Sequence, residues 1–228
     1  MSYGQNLPWG LQATRTLGAA SWNGQTNPYF IKSGYSNNIF KGDPVVVAGT
    51  TDAGGTNTGY LISLYDVNTN VFNAQATLGI FQGCSFITPT ATNPIDPASP
   101  GRQYWPANTA TLNAVPAVAY VVDDPNTVFN VQTATNVGAM QSDVGNTFNY
   151  SFVLTGTTVQ GNTNTGQSSV SAIAGTPPAR GLGSAVRNMI CVAIVPSPPN
   201  PSTAGTQYNN IEVLIQNHQY AQRAPARL

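Results

Sequence analysis

Residues 117–133 read AVAYVVDDPNTVFNVQT: two runs of β-branched and aromatic residues on either side of Asp123-Asp124-Pro125-Asn126. Each run has the length and composition of a strand. Between them, proline presets φ and the Asp and Asn side chains can bond to their own backbone, so the four residues form a tight turn that needs no other explanation. The same strand and turn texture extends in both directions.

Upstream, YFIKSG (29–34) and NIFKGDPVVVAG (38–49) are apolar runs bounded by Gly and Asp-Pro. A polar loop, TTDAGGTNTG (50–59), leads into the strand YLISLYDV (60–67). TLGIFQGCSFI (77–87) is a further strand, in which Gly79 and Gly83 mark bulges or points of close backbone approach. A proline-rich loop follows over 88–109; its prolines cannot donate to a ladder, which suits a projecting or draped segment. Downstream, Val137 to Asp143 is expected to form one short helix closed by Gly145. FNYSFVL (148–154), NMICVAIVP (188–196) and NIEVLIQ (210–216) are the later strands.

About ten short strands with almost no helix make the fold all-β: a compact antiparallel barrel or sandwich, jelly-roll-like, with long loops. Residues 1–28 lack a strand or helix period and read as an extended N-terminal arm carrying Trp9 and Trp22. Two arrangements suit those rings: the arm lies on a neighbour, or it folds back over its own core. Residues 29–220 form a single β domain, and 221–228 a mobile tail with Arg223 and Arg227.

Composition narrows the function. Of 228 residues only 7% are charged, with formal net charge zero, against about 25% in ordinary domains. A surface kept wet by amides and hydroxyls is less protected from association than a charged one. No basic excess points to nucleic acid, and no apolar run reaches the roughly 18 residues of a membrane helix. The N-terminus shows no basic region leading into an apolar one, so no secretory leader is expected. Cys84 and Cys191 sit in apolar runs and read as buried free thiols.

Catalytic groups are few. His218 is the single histidine, and a pairing with Cys84 or Cys191 would lack the usual strand-to-helix elbow. Asp123 and Asp124 are explained by their turn, and DAGGTN and DDPNT are too sparse for a hard-cation loop. The expectation is no enzyme, no cofactor and no metal. The informative residues are aromatic. Trp9 and Trp22 in the arm, and Arg102, Tyr104 and Trp105 in RQYWP, have the Trp/Tyr/Arg makeup of interface hot spots.

A resemblance carries the reading further. Ala13–Val47, ATRTLGAASWNGQTNPYFIKSGYSNNIFKGDPVVV, is similar to the opening of small structural proteins encoded beside the major capsid gene of tailed bacteriophages. LGIFQGCSF (78–86), QYWPANT (103–109), the 117–133 stretch, TGQSSVSAIAG (165–175) and EVLIQNHQY (212–220) extend the likeness from about Thr14 to Tyr220. Ala19 stands where that family usually has glycine, and the proline-rich stretch Pro94–Pro100 is an insertion. The resemblance implies a capsid decoration, or cement, protein: a homotrimer on the outer virion surface, made in the host cytoplasm, bracing capsomer junctions of the major capsid protein. It brings no residue-level site. The alternatives are a tail or head–tail subunit, or a carbohydrate- or receptor-binding virion module.

Overall fold

The computed structural model describes residues 8–18, 20–49, 56–66, 71–72, 76–89, 102–134, 139–152, 160–174, 188–195 and 209–221. Residues 1–7, most of the proline-rich stretch and the tail beyond 221 lie outside these. In chain order the first strands are β1 (Gln12–Thr16), β2 (Asn27–Ile31), β3 (Ile39–Phe40), β4 (Pro44–Val47), β5 (Leu61–Ser63) and β6 (Tyr65–Asp66). β7 (Val71–Phe72), β8 (Gly79–Ser85), β9 (Tyr104–Trp105), β10 (Ala117–Val122) and β11 (Thr127–Gln132) follow. The last are β12 (Thr147–Phe152), β13 (Gly161–Asn162), β14 (Gln167–Ser168), β15 (Val170–Ala174), β16 (Met189–Ile194) and β17 (Asn210–Ile215).

Two antiparallel sheets carry the fold: six strands in the order β1-β11-β17-β16-β12-β15, and five in the order β2-β10-β8-β4-β5. Because side chains alternate across a strand, each sheet turns one face inward. Ala117, Ala119 and Val121 of β10 are buried, as are Ile211 and Val213 of β17. With Ile80, Phe81, Phe129, Val131 and Phe148 they form one core between the sheets. The architecture is therefore a sandwich rather than a closed barrel. The five-stranded sheet curls until β2 and β5 come near each other, yet the two do not pair.

A tight turn forms, one residue later than the sequence reading, over 124–127 with the Thr127 amide donating to the Asp124 carbonyl at 3.0 Å, but it is not the tip of a hairpin. β10 lies in the five-stranded sheet and β11 in the six-stranded one, so the turn is an arch from one layer to the other. The C-terminal segment links the layers a second time. Beyond β17, the Thr77 amide donates to the Asn217 carbonyl (2.7 Å) and the Gln219 amide donates to the Thr77 carbonyl (2.8 Å). The Gln219 side chain then stands in for a neighbouring strand, bonding both the amide (3.2 Å) and the carbonyl (3.3 Å) of Val47.

Three expectations are refined. From Trp9 to Thr16 the chain belongs to its own β domain. Leu11 is fully buried, and β1 pairs with β11 as an outer strand of the six-stranded sheet. Gly10 and Gly42 make this possible. A Cβ on Gly10 would lie 2.8 Å from the Gly42 Cα, and the Leu11 amide donates to the Gly42 carbonyl at 3.0 Å. Of the two arrangements open to the Trp9 and Trp22 segment, the described residues fold back over their own core. The helix expected over 137–143 is a single 3₁₀ turn, Gln141–Asp143, with residues 135–138 outside the description. Asp143 accepts the Met140 amide at 2.7 Å, which fixes the start of the turn, and Val144, extended at φ −62° and ψ 125°, ends it before a second turn forms.

The third lies in RQYWP, at Trp105. Trp105 is fully buried, its indole N–H donating to the Tyr35 carbonyl (3.3 Å) and its ring edge-on to Phe86. Tyr104 stacks on Phe40, with ring centroids 5.4 Å apart, and the Arg102 guanidinium lies over Phe86. Arg102 and Cys84 exchange backbone hydrogen bonds, so this segment extends the sheet beside β8. Gly83 permits that approach: a Cβ there would meet the Arg102 carbonyl at 2.7 Å. Gly83 also sits at the irregularity in the β8–β10 register, so the glycine reading holds.

Candidate functional site

The arch, the return after β1 and the C-terminal segment enclose an open cleft of about 530 Å³. The return is built by backbone bonds. The Thr16 amide reaches the Ala20 carbonyl (2.8 Å), the Trp22 amide the Thr14 carbonyl (3.1 Å), and the Leu17 amide the Asn126 carbonyl (2.8 Å). These fix Trp22 against the core with part of its ring free, lining the cleft beside Asn23 and Gln25. Asn27, Asp123, Asp124 and Tyr220 complete the principal lining.

The two adjacent carboxylates have different duties. Asp124 caps the arch: its side chain accepts the Asn126 amide (3.0 Å) and the Thr127 hydroxyl (3.2 Å). Asp123 reaches back to β2, where it accepts the Asn27 side-chain amide (2.8 and 3.1 Å) and the Tyr29 hydroxyl (2.5 Å). The Tyr29 hydroxyl also lies 3.0 Å from that of Tyr220. Burial, and then the hydrogen bond to Asp123, raise the Tyr29 phenol above its ordinary value, so it stays a donor. The capping role thus belongs to Asp124 alone. Asp124→Ala should cost about 1–2 kcal/mol, read as a lowered thermal melting temperature, since the Asn126 amide and the Thr127 hydroxyl lose a shared acceptor.

His218 is buried behind the cleft. Its Nδ1 accepts the Tyr220 amide at 3.1 Å, which places the proton of the neutral ring on Nε2. Nε2 has no partner of hydrogen-bonding geometry, although the Asp123 backbone is close enough to favour its proton. Burial lowers the His218 pKa; the carboxylates of Asp123 and Asp124 oppose that shift without cancelling it.

The thiols are far from reactive. Burial pushes both Cys84 and Cys191 up to about 12. Both are free, with Cys84 donating to the Tyr104 carbonyl (3.5 Å) and Cys191 to the Ala193 carbonyl (3.6 Å), so neither bonds to His218. Among the described residues, no three His, Cys, Asp or Glu side chains gather as a metal-holding group.

A second feature lies on the outer face of the five-stranded sheet. In the antiparallel register Phe30 faces Val118 and Pro28 faces Tyr120, and directly opposed residues share a face. Phe30 is 56% exposed and Tyr120 38%, an apolar strip in the open. Near the start of β10 is a smaller pocket of about 270 Å³, lined by Phe86, Ile87, Leu112, Val115 and Pro116 among others.

Of the five interface candidates read from sequence, only Trp22 lines the cleft. Trp9 is half-buried at the Gly10 crossing, Arg102 and Tyr104 are half-buried against Phe86 and Phe40, and Trp105 is fully buried. The sequence singles out none of Asn27, Tyr29 and Tyr220 for this site, and it offers His218 only as a base for a thiol pair. Their partnership spans 94 residues from Tyr29 to Asp123 and 191 from Tyr29 to Tyr220, and no local pattern signals such contacts. No protein-family model matches this chain, and comparison with curated proteins and with solved structures finds no match.

Proposed function

We propose that this chain is a structural virion subunit of a tailed bacteriophage, a decoration protein that binds the outer capsid surface as a homotrimer and braces capsomer junctions. The observation that carries the reading is the apolar strip of Pro28, Phe30, Val118 and Tyr120 on the five-stranded sheet. Neighbouring exposed apolar side chains on one sheet face suit a protein interface. Here the face belongs to a chain with only 16 Asp, Glu, Lys and Arg residues in 228, so little charge opposes its burial. The resemblance of residues 14–220 to proteins encoded beside capsid genes supplies the partner, the major capsid protein. Among the described residues no helix is long and apolar enough to cross a membrane.

Full burial of an aromatic side chain is worth about 1.5–3 kcal/mol, and roughly 1.4 kcal/mol is tenfold in affinity. Co-expressed with the major capsid protein of the same genome, the chain should sediment with assembled shells. Phe30→Lys should lower its apparent affinity for them at least tenfold while leaving the melting temperature nearly unchanged, because the ring touches solvent and not the core. A parent chain that stays monomeric and does not sediment with shells would overturn the proposal. Rings rather than trimers by mass measurement would point to a tail or head–tail subunit.

A further inference from the structure

The cleft over the arch is lined by residues other than those of the apolar strip, and its chemistry calls for a different ligand. We infer that it is a binding site for an uncharged glycan. Its size, about 530 Å³, falls in the roughly 300–1,000 Å³ range of small-molecule sites. Its lining is the kind that sugars require. A sugar ring has C–H faces that lie against aromatic rings and an equator of hydroxyls that both donate and accept.

Trp22 and Tyr220 supply the aromatic surfaces. Tyr220 is 64% exposed, yet it is held by its hydroxyl at Tyr29 and its amide at His218. A ring that is exposed and still tethered loses little freedom on binding. Asn23, Gln25 and Asn27 present side-chain amides, each carrying a donor group and an acceptor, and Asp124 adds an exposed carboxylate. The Asn23 Oδ1 already accepts the Gln25 backbone amide (3.1 Å) and the Asn27 amide nitrogen already donates to Asp123 (2.8 and 3.1 Å), so Asn23 offers a sugar hydroxyl chiefly its donor and Asn27 chiefly its acceptor.

Other ligand classes fit less well. Two carboxylates and no Lys or Arg line the cleft among the described residues, so phosphate, sulfate and sialic acid would be repelled. Asp123 already accepts hydrogen bonds from Asn27 and Tyr29, and those donors face the position a cation would need. A purely apolar ligand would strip water from the amides and carboxylates without replacing its hydrogen bonds.

The test uses the intact chain on an array of neutral and acidic glycans, followed by NMR titration with the neutral mono- and oligosaccharides that score. The expected result is binding confined to neutral glycans, with amide shifts at Trp22, Asn23 and Tyr220. Tyr220→Ala and Asn23→Ala should each weaken it tenfold or more. Both positions are exposed, so the fold should survive, and agreement between two separated variants guards against a folding defect in either. Phe30→Lys should leave glycan binding unchanged, which keeps this outcome distinct from shell binding. Absence of any neutral-glycan shift at millimolar sugar, binding unmoved by both variants, or a preference for sulfated or sialylated glycans would each overturn the inference.

Discussion

Gly79→Ala should lower the stability of this chain by about 3 kcal/mol or more, a drop in melting temperature of roughly 6–12 °C for a protein of this size. A Cβ at position 79 would lie 2.2 Å from the Val122 carbonyl oxygen and 2.8 Å from the Val121 Cγ1. Val121 and Val122 are both buried, and their strand, β10, is held between β2 and β8. The backbone therefore has no free side toward which to retreat. Gly34→Ala is the control: Gly34 has φ of +75°, but a Cβ there meets nothing within 4 Å. It should cost only the conformational penalty, about 1 kcal/mol. Equal losses at both positions, measured by chemical denaturation, would show that the β8–β10 crossing is looser than described.

Asp43→Ala should cost roughly 2–4 kcal/mol, and Asp43→Asn less than half of that at neutral pH. Asp43 is buried, accepting the Phe40 amide (2.8 Å) and the Ser168 hydroxyl (2.5 Å). Ser168 in turn accepts the Val170 amide at 3.0 Å, so the carboxyl joins the β3–β4 turn to the start of β15. Alanine leaves the Phe40 amide without its acceptor, whereas asparagine matches the shape and bonding of a protonated acid.

Burial raises the Asp43 pKa from 3.8 to about 7, and the two hydrogen bonds only partly oppose it. Because the folded value is raised, this group's contribution is fully present below 3.8 and is lost as pH rises through about 7. The difference between the melting temperatures of the parent and Asp43→Asn should therefore change between about pH 4 and 7, the parent losing ground as pH rises. A pH-independent difference would mean that Asp43 is ionised throughout and held by its donors.

Neither residue is decorative in the sequence, and both show what local reading reaches. Gly79 in TLGIFQGCSFI marks a close approach because glycine inside a strand has few other uses, but only the packed structure shows that the neighbour is Val122. Asp43 in KGDPVVV reads as strand punctuation; that its carboxyl meets Ser168, 125 residues away, depends on how the layers stack. The RQYWP segment misleads for the same reason. Its composition suits an interface and a core equally, and the burial of Trp105 under Phe86 and Tyr35 decides for the core at that residue, while Arg102 and Tyr104 remain half-buried.

By itself the sequence determined the all-β class, a tight turn around Pro125, the free buried state of Cys84 and Cys191, and the glycine positions in β8. These follow from alternation, proline and glycine stereochemistry and side-chain polarity, all of which act within a few residues. Tertiary structure alone decided that β10 and β11 belong to different sheets, because a hairpin and an arch have the same strand–turn–strand pattern and differ only in which partners supply the hydrogen bonds. It also decided that the Trp9–Thr16 segment is an outer strand, since the glycine crossing at Gly10 and Gly42 joins residues with no common local period. The cleft is its product as well: Trp22, Asp123 and Tyr220 converge only after two layers have closed over one core.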